Sequence, residues 1–485
     1  MQAIIASKKV EKSQIILRGP KTPYSSRAWL TLFLIIWAIS LSFRLLFVYN
    51  ALSQNSWQTV VNFHWDSREY LHLGKNLAER GQYEIDTPES RFFALLRTPG
   101  YPAFCAVFLK LGAGVPGVLY GQAALGSLIP VIAAMLAGAM FRSQSCAIIA
   151  GALSVFSTTG VGLGVILLSD LLFAVTISIG FALTYAAAAF GKRWAWLGAG
   201  LAFSAGLMIK PAIVYLGPVI ALGWYLMSRS EGRPMDWRRL AYVVAMPLIA
   251  MGIWTAHNHA KTKYWVFSTM EAQNLRHFMA PLTEECAKAG RLPDDTSLTA
   301  NHVHALLRDL EDMMAMRVTA VELAQRQKRE AMAILRKSPG WAGAGLLNNS
   351  ASCTLDGWAW TPLQLPKPGV MGRAMFALNR WQIDSRLLLL GLGLLVGLER
   401  IISLRAGAPN QVQRREWGAM GACAALLVYF FVISGTSFST GFRIMYPVEF
   451  AMILLAIGGA RACKRMLHAG AAAAEVPGTK ARAAD

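Results

Sequence analysis

Charged residues are scarce in this chain. Asp, Glu, Lys and Arg make up only 15% of the 485 positions, well below the roughly 25% of an ordinary soluble domain. Hydrophobic residues account for 55% of the sequence, and the mean hydropathy is +0.40. This composition excludes a typical soluble enzyme and predicts an all-α polytopic membrane protein.

Acidic residues are scarcer than basic ones. The chain has 27 Asp and Glu against 47 Lys and Arg, so its formal net charge is +20. An excess of this kind can indicate nucleic-acid binding. Here the basic residues stand in short segments between apolar runs, which is the distribution that membrane topology predicts. We therefore expect membrane lipids as partners and no nucleic acid.

Patterns that would hold a nucleotide are missing as well. The sequence has no glycine-rich phosphate loop and no Rossmann-like strand pattern. His257-x-His259 and His302-x-His304 have a spacing that suits a strand better than one face of a helix, so we give little weight to a zinc site. No cofactor is predicted with certainty, and a divalent metal stays open.

Six cysteines are present. Four fall in or beside apolar runs, where small buried hydrophobic residues are expected: Cys105, Cys146, Cys423 and Cys463. The other two, Cys286 and Cys353, lie in one predicted outer segment. Spacing alone does not fix their geometry, so a bridge and two free thiols are both open. We state the disulfide as a prediction.

The apolar runs predict about ten transmembrane helices. Residues 29–49 give about 21 residues, enough to cross a hydrocarbon core of about 30 Å. The run from Trp194 to Ser228 is too long for one crossing, and proline begins a helix more readily than it continues one, so we place a tight hairpin at Lys210-Pro211. Glu399-Arg400 interrupts one of the further spans. The further predicted spans are 118–141, 146–162, 168–190, 194–209, 211–228, 240–257, 386–404, 417–434 and 444–460.

The distribution of lysine and arginine orients these spans with both termini in the cytoplasm. No small-residue cleavage site follows the first span, so we expect that span to be retained. The predicted organisation is a basic cytoplasmic N-terminus (1–28), a transmembrane module (29–258) with a first outer loop (50–117), an extracytoplasmic cap (259–382), C-terminal transmembrane helices (383–462) and a cytoplasmic tail (463–485).

Four ionisable groups are expected on the outer rim of the membrane. Asp66 follows the first span, Asp170 opens a predicted helix, Lys210 lies at the hairpin, and Arg443 begins the last span. Each has a simpler explanation, as a solvated or capping carboxylate or as a snorkelling cation. Together they offer an acid that can serve as a base and two cations suited to a phosphate. This convergence predicts an active site at the bilayer surface.

The motifs around these groups resemble a known family. Asp66, Tyr70, Gly81 and Tyr83 precede an Arg-x-Pro-Gly-Tyr-Pro string at 97–102. This order resembles the first outer loop of GT-C fold glycosyltransferases, particularly the protein O-mannosyltransferase-like group that includes bacterial lipid A aminoarabinose and galacturonic acid transferases. Ser169-Asp170, Lys210-Pro211 and the string from Arg443 to Pro447 are similar to three later motifs of that group.

Two positions depart from the family pattern. His257-Asn258 stands where the family often has Arg-Asn, and Lys210 replaces the more usual arginine. A lysine offers a phosphate a point charge in place of a bidentate contact.

The resemblance implies a membrane glycosyltransferase of the bacterial inner membrane, with its active site facing the periplasm or exterior. The implied donor is a polyprenyl-phosphate sugar, and the acceptor is lipid A or its core, a polysaccharide or a protein. Asp66 is the implied general base of an inverting transfer, and His64 could orient it. Tyr70, Arg97, Tyr101, Asp170, Lys210 and Arg443 are the implied substrate-binding residues, with Lys210 and Arg443 on the departing phosphate.

Two other function classes stay open. A polytopic transporter or lipid flippase usually carries ionisable groups near the bilayer midplane and repeats of its spans, whereas here the suggestive charges stand at one rim. A noncatalytic assembly partner would tolerate substitution of Asp66.

Labelling of introduced cysteines tests the topology. Single cysteines in the loops 50–117 and 259–382 should react with a membrane-impermeant thiol reagent in intact cells, because both loops are predicted to lie outside. A cysteine in the loop 229–239 should react only after lysis, and its labelling in intact cells would contradict the predicted orientation.

Overall fold

The computed structural model describes residues 26–62, 64–84, 95–230, 232, 236–292, 309, 311–312, 319–355, 369–406, 409–436 and 443–474. All regular secondary structure in these ranges is helical. Most of the predicted basic N-terminus, part of the C-terminal tail and the His302-x-His304 pair lie outside the described residues.

The first half of the chain contains helices α1 to α12. Its helices are α1 (Ser26–Gln54), α2 (Trp57–Asn62), α3 (Trp65–Arg80), α4 (Gly100–Lys110), α5 (Gly114–Gly126), α6 (Leu128–Phe141), α7 (Gln144–Val155), α8 (Thr158–Gly162), α9 (Ser169–Phe190), α10 (Arg193–Ile209), α11 (Leu216–Ser230) and α12 (Trp237–Thr262).

The second half adds the helices of the predicted cap segment and the last spans. These are α13 (Met270–Asn274), which continues through a π-helical turn at Leu275–Met279, α14 (Ala280–Ala289), α15 (Ala320–Lys337), α16 (Pro339–Leu355), α17 (Gly369–Ala406), α18 (Gln411–Gly435) and α19 (Glu449–Ala474). A 3₁₀ turn at Tyr446–Val448 leads into α19.

Seven stretches within the described ranges are long and apolar enough to cross a membrane: Ser26–Gln54, Gly114–Phe141, Ser169–Phe190, Trp237–Thr262, Ser385–Leu404, Gln411–Gly435 and Tyr446–Ala469. An eighth span would consist of two helical pieces, Gln144–Val155 and Thr158–Val165, bent by 48°. The other two predicted spans are the shorter helices α10 and α11, of 17 and 15 residues. The predicted all-helical, polytopic architecture is therefore confirmed.

The predicted break at Lys210-Pro211 is present. α10 ends before Lys210, whose backbone is extended (φ −150°, ψ 126°), and Pro211 opens a 3₁₀ turn. Proline has no N–H to continue the α-helical hydrogen bonds. The break leaves Lys210 at the same end of the bundle as the start of α9.

Two glycines let α4 pack closely against α3 and against α10. A β-carbon at Gly74 in α3 would lie 2.8 Å from the β-carbon of Cys105 in α4. A β-carbon at Gly100 would lie 2.7 Å from the carbonyl oxygen of Met208, near the end of α10. The RTPGYP string is thereby brought beside the Lys210 hairpin.

A buried ionic cluster around Arg461 and Arg465 of α19 joins the last three helices, α17, α18 and α19. Arg465 donates to Oε2 of Glu399 and to Oε2 of Glu416, both at 2.8 Å, and Arg461 donates to Oε1 of Glu416 at 3.1 Å. The indole of Trp417 donates to Glu399 at 3.1 Å. Glu399, which interrupted the predicted span 386–404, is thus a paired buried carboxylate, as buried charges must be.

The predicted disulfide is wrong. Cys286 and Cys353 are both buried and are not joined by a disulfide. The sulfur of Cys353 lies 3.7 Å from the carbonyl oxygen of Ser434, so this thiol is directed at the end of α18. Cys105, Cys146 and Cys423 are buried as expected.

The ionic cluster predicts a large effect of Arg465→Met. Its loss leaves two buried carboxylates without their shared cation, a change that costs about 3–5 kcal/mol for a buried pair. We expect a clear fall in the midpoint of thermal denaturation, measured by size-exclusion chromatography of heated, detergent-solubilised protein. Lys464→Met is the matched control, because Lys464 is exposed. Equal stability of the two variants would show that the cluster contributes little.

Candidate active site

Helix α3 carries three side chains of the site. His64 is its N-cap residue, and Asp66 lies in its first turn. Glu69 and Tyr70 follow at i+3 and i+4, which places them on the same helix face as Asp66. Gly81 ends the helix in the left-handed conformation (φ 67°), which favours glycine.

Arg97, the first residue of the RTPGYP string, is buried against this face. It donates from Nη2 to Oδ1 of Asp66 at 2.7 Å and from Nε to Oε2 of Glu69 at 2.6 Å. Its guanidinium carbon lies 5.0 Å from the ring centre of Tyr70. The hydroxyl of Tyr83 donates to the carbonyl of Arg97 at 3.0 Å. Arg97 therefore holds both carboxylates of α3.

Asp170 forms the second half of the site from the first turn of α9. Its side chain is fully buried, and its two oxygens accept from Lys210 Nζ at 2.5 Å and from Arg443 Nε at 2.9 Å. Arg443 also donates from Nη2 to Oδ2 of Asp66 at 2.8 Å. The two halves therefore join in one chain of alternating charges, from Lys210 through Asp170, Arg443, Asp66 and Arg97 to Glu69.

Uncharged hydrogen bonds brace this chain. The hydroxyls of Tyr70 and Ser169 are 2.9 Å apart, and the ring of Tyr101 meets that of Tyr70 edge to face with centroids 4.8 Å apart. Tyr101 donates to Oε1 of Gln122 at 2.7 Å. The amide nitrogen of Gln122 lies within hydrogen-bonding distance of the carbonyls of residues 163, 164 and 166. The segment between α8 and α9 is thereby tied to the site.

The charges around Asp66 decide its protonation. Burial opposes its ionisation, but Arg97 and Arg443 outweigh burial and hold the pKa of Asp66 well below its usual range. Burial, assisted by Arg443, lowers the pKa of His64 to about 4, so this imidazole is neutral at pH 7. Burial raises the pKa of Glu69 and lowers that of Lys210. Asp66 is therefore an ionised carboxylate at pH 7.

The structure brings together the residues that sequence analysis singled out. Asp66, Arg97, Asp170, Lys210 and Arg443 form the ionic chain, and Tyr70 and Tyr101 pack against it. His64 was expected to orient Asp66; its Nε2 instead lies 2.9 Å from Nη1 of Arg443, while its Nδ1 is 3.8 Å from the Asp66 carboxylate.

Two functional residues were missed. Glu69 could have been identified from the sequence, because it follows Asp66 by one helical turn. Gln122 could have been identified less easily, as a polar residue inside the apolar run 118–141. Its partners are backbone carbonyls more than forty positions away along the chain. No local sequence pattern predicts these contacts.

The described part of the chain contains no group of three or more His, Cys, Asp or Glu side chains placed to hold a metal ion. The rings of His257 and His259 stack on Trp254 and Trp265, with centroids 4.8 and 4.2 Å apart. These histidines are thus engaged with aromatic neighbours.

Residues 96–269 match the family described as dolichyl-phosphate-mannose-protein mannosyltransferase. The matched segment is shorter than half of the chain; it contains Asp170 and Lys210, whereas Asp66 and Arg443 lie outside it. The match identifies this segment as part of a glycosyltransferase. It confirms the family resemblance predicted from the motifs.

Two solved structures of ArnT from Cupriavidus metallidurans are similar to the chain. The structure bound to undecaprenyl phosphate is 15% identical, with 93% of this chain and 81% of that chain covered and a TM-score of 0.36. The apo structure is 16% identical, with 86% and 78% covered and a TM-score of 0.38. No curated protein matches the chain significantly in sequence.

Proposed function

We propose that this protein is a membrane glycosyltransferase that moves a sugar from a polyprenyl-phosphate donor to an envelope acceptor. One observation carries the proposal. Asp66 and Arg443, which are 377 positions apart, meet in a hydrogen-bonded ion pair beside two further basic side chains, Arg97 and Lys210. A membrane protein rarely places so many ionisable groups together without a chemical task.

The basic side chains suit the phosphate of the donor. Lys210 offers a compact positive charge and Arg443 a planar fork of donors, the two kinds of group that bind phosphates in proteins. The matched family is named for a dolichyl-phosphate sugar, which is a polyprenyl-phosphate donor. The apolar outer faces of the spans would let such a lipid reach the site from the bilayer.

The proposed reaction is a single displacement. The acceptor hydroxyl attacks the anomeric carbon from the face opposite the phosphate, while Asp66 takes the hydroxyl proton as general base. The bond between the anomeric carbon and the phosphate oxygen breaks, and the oxygen leaves with the electron pair. Lys210 and Arg443 stabilise the charge on the departing polyprenyl phosphate. The configuration at the anomeric carbon is inverted.

The charge arrangement tunes Asp66 for this role. Arg97 and Arg443 each hold one oxygen of Asp66 and keep its pKa low, so the carboxylate is ionised and able to accept a proton.

The remaining residues hold the site in place. Asp170 positions Lys210 and Arg443, and Arg97 positions Asp66. Tyr70 and Tyr101 support the charged groups from the buried side, since their rings pack edge to face and their hydroxyls are both hydrogen-bonded. We assign these four residues to substrate binding and positioning.

We place the site on the outer side of the bacterial inner membrane, facing the periplasm or exterior. The distribution of lysine and arginine in the loops supports this orientation, as does the absence of a nucleotide-binding motif in the sequence. The acceptor class that fits this face is an envelope molecule: lipid A or its core, a polysaccharide, or a protein.

Asp66→Asn tests the proposed base. The amide preserves the size of the side chain but cannot take a proton under these conditions, so transfer should fall by about 10² to 10⁴ in rate. Purified variant and wild type are compared in single-turnover transfer from a polyprenyl-phosphate sugar. Transfer is compared per mole of protein that elutes as a single folded species. A normally folded Asp66→Asn protein with near-normal transfer would remove Asp66 from the mechanism and favour a transporter or a structural partner.

Lys210→Ala and Arg443→Ala test the phosphate site. Loss of one charged hydrogen bond costs about 1.5–3 kcal/mol, so donor affinity should fall by roughly 10- to 150-fold in each variant. Arg443→Lys retains the charge and serves if the alanine variant does not fold. Lys75→Ala is the control, because Lys75 is exposed on α3 and pairs with Glu79. Wild-type donor affinity in both site variants would place the phosphate elsewhere.

A further inference from the structure

Glu69 differs from the other two carboxylates of the site. Both oxygens of Asp66 and of Asp170 accept charged hydrogen bonds. Glu69 has one such contact, from Arg97 to Oε2. Its Oε1 accepts no hydrogen bond from any described residue, and its side chain is 14% exposed. Glu69 is therefore the most weakly held acid of the chain of charges, and it keeps contact with solvent.

The charged side chains of the site balance one another. Three cations, Arg97, Lys210 and Arg443, face three carboxylates, Asp66, Glu69 and Asp170. Every cation that is suited to a phosphate already has a carboxylate partner. An anionic ligand therefore competes with these carboxylates, and a buried carboxylate that loses its partner must be neutralised or bear a large desolvation cost.

We propose that Glu69 is the counter-ion that the donor phosphate displaces: Arg97 turns from Glu69 to the phosphate, and Glu69 takes up one proton from solvent. The inference rests on the proposed function, because it assumes a polyprenyl-phosphate ligand in this site. In this exchange one O–H bond forms on Glu69, and the ligand's negative charge replaces the negative charge that Glu69 loses.

Among Glu69 and the titratable groups that face it, Glu69 is the group that exchanges a proton. Asp66 and Tyr70 face it from its own helix, Arg97 from the RTPGYP string, and Tyr83 from the segment after α3. Burial raises the pKa of both tyrosines above their usual range, so they stay protonated. The arginines keep the pKa of Asp66 low. Burial raises the pKa of Glu69 even with Arg97 beside it.

The sign of the pH dependence follows from linkage. Loss of Arg97 raises the pKa of Glu69 further, so the bound state holds more protons than the free state. Ligand binding is then favoured at low pH. Between the free-state and bound-state pKa of Glu69, the dissociation constant should rise by up to about tenfold per pH unit, the limit for one proton.

Calorimetry with a ligand of fixed charge tests the proposal. The probe is methyl farnesyl phosphate, a phosphodiester whose single negative charge does not titrate between pH 5 and 8. Binding to the purified full-length protein in detergent is measured across this range. At each pH, two buffers of different ionisation enthalpy give the number of protons taken up. Glu69→Gln is compared with Glu79→Gln, an exposed acid on the same helix.

The proposal expects proton uptake approaching one in the wild type and in Glu79→Gln. Glu69→Gln should take up none and should bind the probe with little dependence on pH. Binding by the wild type without proton uptake would overturn the proposal, even if the Glu69→Gln protein fails to fold. Uptake that persists in Glu69→Gln would overturn it as well. No binding of the probe by the wild type at any pH would contradict the proposed donor itself.

Discussion

The ion pair between Asp66 and Arg443 is the contact on which the site depends. It joins the start of α3 to the segment that leads into α19, 377 positions away along the chain. Arg443 also holds Asp170, and Asp66 also holds Arg97. Four separate segments are thereby fixed to one another by two side chains. Because buried charges are costly unless paired, this network persists only if all its members arrive together.

The same rule shapes the opposite end of the last span. There Glu399 and Glu416 are buried and share Arg465. That cluster links three consecutive helices. The network around Asp66 differs in joining segments from both halves of the chain and in containing Glu69, an acid with an open oxygen. The first arrangement suits a structural clamp, whereas the second suits a site that must exchange partners with a ligand.

The sequence was sufficient to predict the helical architecture and to single out most of the residues that meet in the candidate site. Long apolar runs identified the spans, and the proline after Lys210 marked the hairpin. Motif order identified Asp66, Arg97 and Arg443, but not that they touch, because ion pairs between distant segments leave no local pattern. Gln122 was hidden for the same reason. The disulfide was mispredicted because cysteine spacing carries no information on the direction of the thiols.

The position of a bound lipid phosphate tests the central claim most directly. A cryo-EM structure of the protein in lipid nanodiscs with undecaprenyl phosphate would locate it. The account predicts phosphate density within hydrogen-bonding distance, about 2.7–3.2 Å, of Lys210 and Arg443, with Arg97 turned from Glu69 toward the phosphate. Phosphate bound elsewhere, with the contacts of Asp66 and Asp170 to these cations intact, would contradict it.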